Sequence, residues 1–161
     1  MPVRELSEYL ANNEVKYESI EHSTAFTAQG IAALTHIRGQ EFAKTVILNV
    51  DGKLAMVVVP ASYHVDVAMF KTATGATAVS LAAESEFRDR FPGCETGAMP
   101  PFGNLYGMPV YVDESLTKAT EISFNAGSHR ELVRIAWRDF ERLAHPRMVQ
   151  CTPWRAHGHA A

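Results

Sequence analysis

The chain has 161 residues, of which 47% are hydrophobic and 20% charged, and its formal net charge is -3 at pH 7. This composition is typical of one globular domain with a sizeable core. It excludes a general nucleic-acid coat protein, which needs a strongly basic surface. Contact with one end of an RNA stays open, because a few local cations suffice for it.

Cysteine usage and hydropathy indicate the cellular compartment of the protein. Cys94 and Cys151 lack metal-ligand spacing, which favours reduced cytosolic thiols over a disulfide. The amino-terminal residues contain no apolar run of signal-peptide length. No stretch approaches the roughly 20 apolar residues that cross a bilayer. We therefore expect a cytoplasmic protein that binds no membrane.

The first third of the chain predicts two short helices. Residues 3–13 form an amphipathic pattern with Leu6 and Leu10 on the apolar stripe. An extended segment follows over 15–22, and residues 27–37 predict the second helix.

The strongest local pattern is "KTVILNVDGKLAMVVVP", residues 44–60. Two β-branched runs flank Asp51 and Gly52, a pair that favours a type I′ hairpin turn. Both runs are apolar at consecutive positions, which predicts central strands covered on both faces. Pro60 ends the second strand.

The middle of the chain predicts two helices around a short strand. Residues 64–76 predict a helix with Asp66 as its N-cap and Gly75 just after its end. Residues 77–81 predict the strand. Residues 82–93 predict a charged helix, stopped by a Pro-Gly pair.

The last third predicts two strands and then a long helix. The strands are residues 108–113 and 119–125. Residues 128–146 predict the helix, because Ser128 and Glu131 match a capping box and apolar residues line one face.

These elements indicate one domain over residues 1–146, followed by a loosely ordered tail over 147–161 that lacks periodicity. We find no internal repeat. The mixed order of helices and strands predicts an α/β or α+β domain with a mixed sheet.

General catalytic motifs are missing from the sequence. It contains no G-x-S-x-G elbow, no H-E-x-x-H helix, no Walker loop and no G-x-G-x-x-G. His157 and His159 could catch a metal, but no other ligand lies beside them, and we interpret them as surface residues. We predict neither a metal nor a cofactor.

Two residues have a functional and a structural interpretation. Lys44 is either a solvated charge beside a strand, or a cation at a cleft rim that pairs with phosphate or stabilises developing negative charge. His22 is either hydrogen-bonded at a strand end or a general base. Asp66 and Ser128 are better explained as helix caps than as catalytic groups.

The stretch "GAMPPFGN", residues 97–104, places two prolines side by side between glycines. Neither a helix interior nor a central strand accepts this arrangement. It is either a turn between elements or a rigid piece of backbone that holds a ligand.

Three segments, residues 21–32, 42–62 and 93–113, match a known family in order and spacing. The sequence resembles the YbaK/prolyl-tRNA synthetase-associated domain family. Its members include free-standing aminoacyl-tRNA deacylases related to the editing domain of bacterial prolyl-tRNA synthetases. Residues 124–132 also resemble that family's late strand and following turn. The resemblance covers roughly residues 15–145.

The resemblance implies a single domain with a mixed, mostly antiparallel, barrel-like sheet wrapped by helices. The implied substrate is the 3′ end of a misacylated tRNA, and an aminoacyl-tRNA synthetase is a second candidate partner; DNA is not expected. The family's glycine–three residues–proline motif falls on Gly97 and Pro101, with a further glycine at Gly103. The family's lysine falls on Lys44 and its histidine on His22.

The implied site has a catalytic and a substrate-binding part. The catalytic residues are Lys44, Gly97 and Ala98. The substrate-binding residues are His22, Thr45, Met99, Pro100, Pro101, Phe102, Gly103, Gly127 and Ser128.

Two positions depart from the family pattern. Many relatives have glycine where this chain has Ala98 and serine where it has Pro100. A hydroxyl that could touch the substrate is therefore absent. The expected substrate is a small amino acid, such as alanine, on tRNA-Pro or a similar tRNA.

An aminoacyl ester is already activated, so its hydrolysis needs a positioned water and stabilisation of the oxyanion. Gly97 would permit close backbone approach to the ester. Pro100 and Pro101 would stiffen the loop, and Lys44 would hold the terminal phosphate or ribose. A binding module of the same fold that does not hydrolyse tRNA is the alternative. A small-molecule esterase is weaker, because no nucleophile is visible.

Overall fold

The computed structural model describes residues 3–21 and 41–153. The predicted helix over 27–37 and the candidate residue His22 lie outside these ranges. The described part of the chain forms one sheet with helices packed on both faces.

The bounds of the elements are as follows. The helices are α1 (Arg4–Asn12), α2 (Val67–Thr74), α3 (Glu84–Phe87) and α4 (Trp137–Ala144). The strands are β1 (Glu18–Glu21), β2 (Phe42–Val50), β3 (Lys53–Pro60), β4 (Val79–Leu81), β5 (Val110–Asp113), β6 (Glu121–Asn125), β7 (Glu131–Ala136) and β8 (Arg147–Val149). Short 3-10 turns cover Arg88–Arg90, Gly103–Leu105 and Glu114–Lys118.

The strands form a mixed sheet in the order β1-β7-β6-β2-β3-β5-β8, and β4 pairs separately with β2. The pairs β2–β6, β3–β5 and β5–β8 are parallel. The pairs β1–β7, β2–β3, β2–β4 and β6–β7 are antiparallel. The predicted mixed fold, in which antiparallel pairing predominates, is confirmed.

The predicted hairpin is the longest pairing in the sheet. Its register runs from Ala43 opposite Pro60 to Val50 opposite Lys53. Asp51 has φ 50° and Gly52 has φ 84°, so both central turn residues adopt the positive φ that a type I′ turn requires. The hairpin forms the rigid centre of the sheet.

The main hydrophobic core lies on one face of the sheet, against α1, α4 and the segment before β5. Phe102 is fully buried at its centre. The Phe102 ring centroid lies 6.0 Å from that of Tyr9, 5.6 Å from Phe124 and 5.5 Å from Phe140, in edge-to-face contacts. Phe102 thereby joins α1, β6 and α4.

The opposite face carries a smaller core under α2. Phe70 of α2 packs there with Leu48 and Val57 of the hairpin. The predicted caps of this helix are confirmed: the Asp66 carboxylate accepts a hydrogen bond from the Met69 amide at 3.0 Å, and Gly75 has φ 72°. The charged helix predicted over 82–93 is shorter, since α3 passes into a 3-10 turn.

The long helix predicted over 128–146 is wrong in its first half. Residues 131–136 form β7, which pairs with both β1 and β6. Val133 and Ile135 alternate toward the main core, so pairing on both edges outweighs the helical pattern. The helix begins only at Trp137 and buries Phe140 and Leu143.

The prediction of a loose tail from residue 147 onward is also wrong for its first part. Residues 147–149 form β8, in parallel register with β5. Cys151 and Thr152 are buried, and both donate hydrogen bonds to the buried carboxylate of Asp113. The ordered domain therefore extends past Pro146.

Within residues 3–21 and 41–153, no helix is both long enough and apolar enough to cross a bilayer.

Candidate functional site

One edge of β2 has a gap between two pairings. On that edge β6 pairs with Phe42 and Ala43, and β4 pairs with residues 48–50. Between them, Lys44 and the two residues after it have no strand partner on this edge within the described ranges. Lys44 therefore lies at an opening in the sheet.

The Lys44 ammonium is half-buried and has no carboxylate partner in the described parts of the chain. Burial lowers the pKa of Lys44, because water solvates the charge less completely. An approaching anion stabilises such a poorly solvated cation more strongly than it stabilises a fully solvated one. This geometry favours the cleft-rim interpretation over that of a solvated charge.

Thr45 does not share the face of Lys44. Side chains of successive strand residues point to opposite faces, and Thr45 is only 8% exposed. Its neighbours at alternate positions, Ala43 and Ile47, belong to the main core. The Thr45 side chain thus faces the core, which does not support the predicted substrate contact.

The glycine–proline loop, residues 95–101, is closed against the turn between β6 and β7. The Glu95 amide donates to the Gly127 carbonyl at 2.7 Å, and the Gly127 amide donates to the Ala98 carbonyl at 2.8 Å. The Ala98 amide donates back to the Glu95 carbonyl at 3.0 Å. These bonds fix the backbone on both sides of Gly97.

Gly97 stands exposed at the tip of this loop with φ 86°. Its amide donates to the sulfur of Met99 at 3.1 Å. Thioether sulfur is a weak acceptor, so this amide can exchange that partner for a stronger one. The Gly97 amide is therefore available to an incoming acceptor.

Ala98, predicted as a catalytic residue, does not have a free N–H group for a substrate. It is completely buried, and its amide is already hydrogen-bonded to the carbonyl of Glu95. Its contribution in this structure is to close the loop. A small side chain suffices there, which explains why alanine replaces the family's second glycine.

The residues that follow Ala98 support the loop from within the core. Met99, Pro100, Pro101, Phe102 and Gly103 are all buried. A Cβ atom at Gly103 would lie 2.8 Å from the carbonyl oxygen of Met108, so only glycine fits without a shift. The Phe102 ring lies inside the core, which does not support a substrate contact by this side chain.

Gly127 and Ser128 form the turn between β6 and β7. Gly127 has φ 100°, and a Cβ atom there would lie 2.8 Å from Cβ of Val3. The Ser128 hydroxyl accepts a hydrogen bond from the Arg130 amide at 3.0 Å. Ser128 thus caps a turn and not the predicted helix.

His129 was not among the predicted site residues, yet it contacts the loop directly. Its Nε2 lies 2.9 Å from the Thr96 carbonyl oxygen, and its amide donates to the Glu95 carboxylate at 3.3 Å. A Cβ atom at Gly97 would lie 3.4 Å from the His129 ring. Its place at a strand-to-strand turn was hidden by the incorrect helix prediction over 128–146.

The structure brings two groups of predicted residues together through β6. Ala43, next to Lys44, is the register partner of Phe124 near the end of β6. The chain then turns at Gly127, which is bonded to Ala98 of the loop. The gap beside Lys44 and the loop around Gly97 therefore lie at the same end of β6.

No group of three or more His, Cys, Asp or Glu side chains in residues 3–21 and 41–153 is placed to hold a metal ion. His157 and His159 lie outside these ranges.

Comparison with known proteins gives a consistent result. A protein of Escherichia coli K12 named multifunctional Ser/Thr-tRNA deacylase ProXp-y is 30% identical over 125 residues, which cover 73% of this chain and 74% of that protein. A proline–tRNA ligase of Bacillus mycoides is 26% identical over 101 residues, which cover 63% of this chain. The match spans only 17% of the ligase, so the chain corresponds to a small part of that enzyme.

Solved structures show the same fold. A protein proposed to be a trans-editing enzyme for prolyl-tRNA synthetase aligns with a TM-score of 0.78 and 20% identity, over 92% of this chain and 95% of its own. The model of the aminoacyl-tRNA editing domain matches residues 22–143. The resemblance drawn from the sequence is thereby confirmed, and the chain belongs to the aminoacyl-tRNA editing domain family.

Proposed function

We propose that this chain is a trans-editing aminoacyl-tRNA deacylase, which hydrolyses the ester between a wrong amino acid and the 3′ end of a tRNA. The observation that carries the proposal is a half-buried Lys44, without a carboxylate partner among residues 3–21 and 41–153, at the same end of β6 as the exposed Gly97 amide. Hydrolysis of an aminoacyl-tRNA ester needs a cation that binds the tRNA phosphate and a fixed N–H donor that stabilises the oxyanion.

In this mechanism a water adds to the ester carbonyl, and the carbonyl oxygen becomes an oxyanion. The Gly97 amide keeps its direction and donates to that oxyanion in place of the Met99 sulfur. Collapse of the intermediate releases the ribose oxygen of the tRNA and the free amino acid. Lys44 holds the terminal phosphate or ribose. Family resemblance implies that the substrate's own ribose hydroxyl assists the water.

Hydrogen bonds on both sides of Gly97 keep its N–H group in one direction. Residues 95 and 98 hold the backbone on either side of Gly97, and His129 is bonded to the carbonyl of Thr96. A donor that is fixed before the reaction requires no reorganisation as charge develops. We assign His129 a positioning role in this loop.

The names of the relatives guide the choice of substrate. One relative is named for Ser- and Thr-tRNA, and others are proline–tRNA ligases. We propose a small amino acid, with serine, threonine and alanine as the candidates, on tRNA-Pro or a similar tRNA.

The test is a deacylation panel with labelled Ser-, Thr-, Ala- and Pro-tRNA, using the full chain and a Lys44→Ala variant. We expect turnover of at least one misacylated tRNA and a loss of about 100-fold in Lys44→Ala, since removing an electrostatic stabiliser typically costs 10²–10³ in rate. Lys71→Ala, which removes an exposed lysine on α2, is the matched control.

A wild-type rate in Lys44→Ala would contradict the assigned role of this lysine. Binding of tRNA without turnover of any ester would instead assign the chain to the alternative, a non-catalytic module for a tRNA end or a synthetase.

A further inference from the structure

A second cleft lies at the far end of the β2–β3 hairpin from Lys44. Its volume is about 540 Å³, within the range of pockets that hold ligands. It is lined by the start of β3, the 3-10 turn that contains Arg90, and the segment from Gly107 to Tyr111. Val50 also lines it, and since this residue follows Lys44 by six positions on one strand, the two sites are about 20 Å apart.

Two cations, Lys53 and Arg90, converge on this cleft, and both are exposed. Neither has an ion-pair partner among residues 3–21 and 41–153. The carboxylates of two nearby residues are engaged elsewhere. Asp51 accepts hydrogen bonds from the backbone of residues 77 and 78, and Glu86 accepts from the Ala83 amide and the Asn49 side chain. Lys53 and Arg90 are therefore both available to an anion that enters the cleft.

The backbone adds a further donor. The pairing of β3 with β5 begins at Met56, whose amide donates to the Pro109 carbonyl at 3.0 Å. Backbone groups two positions apart on a strand point to the same edge, so the Leu54 amide points toward the cleft. No strand pairs with Leu54 on this edge within the described ranges.

We propose that this cleft binds a backbone phosphate of the tRNA, at a distance from the ester site. The identity of the ligand as RNA rests on the proposed function. Arginine presents a planar fork of donors that matches phosphate, and lysine adds a compact charge. A separation of about 20 Å equals roughly six stacked nucleotide steps, which reaches past the unpaired 3′ end into the acceptor stem.

The test compares Lys53→Ala/Arg90→Ala with a control, Lys71→Ala/Lys118→Ala, which changes the net charge by the same amount at exposed positions. We expect the cleft variant to bind uncharged tRNA about tenfold more weakly and to show a salt dependence shallower by about one to two phosphate contacts. Its KM for aminoacyl-tRNA should rise while kcat stays the same. The control should match the wild type in each measurement.

A short aminoacyl-nucleotide ester supplies the second readout, because it cannot span both sites. The cleft variant should hydrolyse this ester at the wild-type rate, which also shows that the fold is intact. Wild-type tRNA affinity in the cleft variant would overturn the proposal, as would an equal loss on the short ester.

Inorganic phosphate and a mononucleotide form a third arm, measured by calorimetry. Binding of either that depends on Lys53 and Arg90, with tRNA affinity unaffected by the cleft variant, would overturn the assignment to RNA. If the wild-type chain hydrolyses no aminoacyl-tRNA, the proposed function fails, and the uncharged tRNA measurement still decides whether the cleft binds RNA.

Discussion

At the scale of single residues, the candidate site depends on two contrasts between neighbours. Lys44 lies beside a gap between two strand pairings and points away from the main core, while Thr45 beside it points into that core. Gly97 is exposed with a weakly bonded amide, while the amide of Ala98 is committed to closing the loop. In each pair only one residue is free to meet a substrate.

The lowered pKa of Lys44 predicts a pH dependence. The cation disappears as the pH rises through its pKa, and burial places that loss at a lower pH than for an ordinary lysine. Deacylation should therefore decline on the alkaline side once the uncatalysed hydrolysis of the ester is subtracted. Lys44→Arg keeps the charge at every pH in this range.

We expect Lys44→Arg to act about tenfold more slowly at neutral pH, because its fork differs in shape, and to lose the alkaline decline. Rates measured from pH 6 to 10 on one misacylated tRNA check this. The same alkaline decline in both proteins would show that another group titrates.

Gly97→Ala tests the donor role. Its φ of 86° disfavours any side chain, and the new Cβ would lie 3.4 Å from the His129 ring. We expect stability to fall by about 1–2 kcal/mol and kcat to fall at least tenfold, because the amide is displaced.

Gly75→Ala is the control for Gly97→Ala. This residue also has positive φ, at 72°, but its added Cβ meets no atom within 4 Å. Chemical denaturation should show a similar loss of stability with unchanged kcat. If both variants lose activity alike, strain and not a displaced donor explains the effect.

At the scale of elements, β8 contributes more to the stability of the fold than its length of three residues indicates. β8 pairs with β5, and the segment after it brings Cys151 and Thr152 to the buried carboxylate of Asp113. Ser115 supplies the remaining bonds to that carboxylate. This network connects the segment after β8 to β5, the strand next to the β2–β3 hairpin.

Truncation after Pro146 should therefore destabilise the protein, contrary to what a loose tail would predict. It removes three donors from the Asp113 carboxylate: the Cys151 amide, the Cys151 thiol and the Thr152 hydroxyl. A buried polar group left without its partners costs about 1–3 kcal/mol, and more when it is charged. Thermal unfolding measures the change. Truncation after Pro153 keeps all these contacts and should retain the wild-type melting temperature, and equal melting temperatures for both truncations would contradict the account.

At the scale of the whole molecule, sequence patterns predicted the elements that depend on interactions between residues close in sequence. The β2–β3 hairpin follows from its β-branched runs and from Asp51-Gly52, and α2 follows from its caps. β7 was mistaken for a helix because its residues fit a helical pattern, and one of its two partners, β1, is distant in sequence. The candidate site was predicted through family resemblance. The directions of Thr45, the Ala98 amide and Phe102 depend on packing across the fold, which local patterns do not contain.

The unequal edges of β2 have a mechanical consequence. One edge is held by a long, continuous register with β3, while the other is open beside Lys44. Lys44 thus lies on a strand whose pairing with β3 is continuous over the length of the hairpin. The other segments of the proposed site, around Gly97 and His129, lie outside this hairpin. Changes in substrate choice among related proteins should therefore concentrate in those two segments and spare the hairpin.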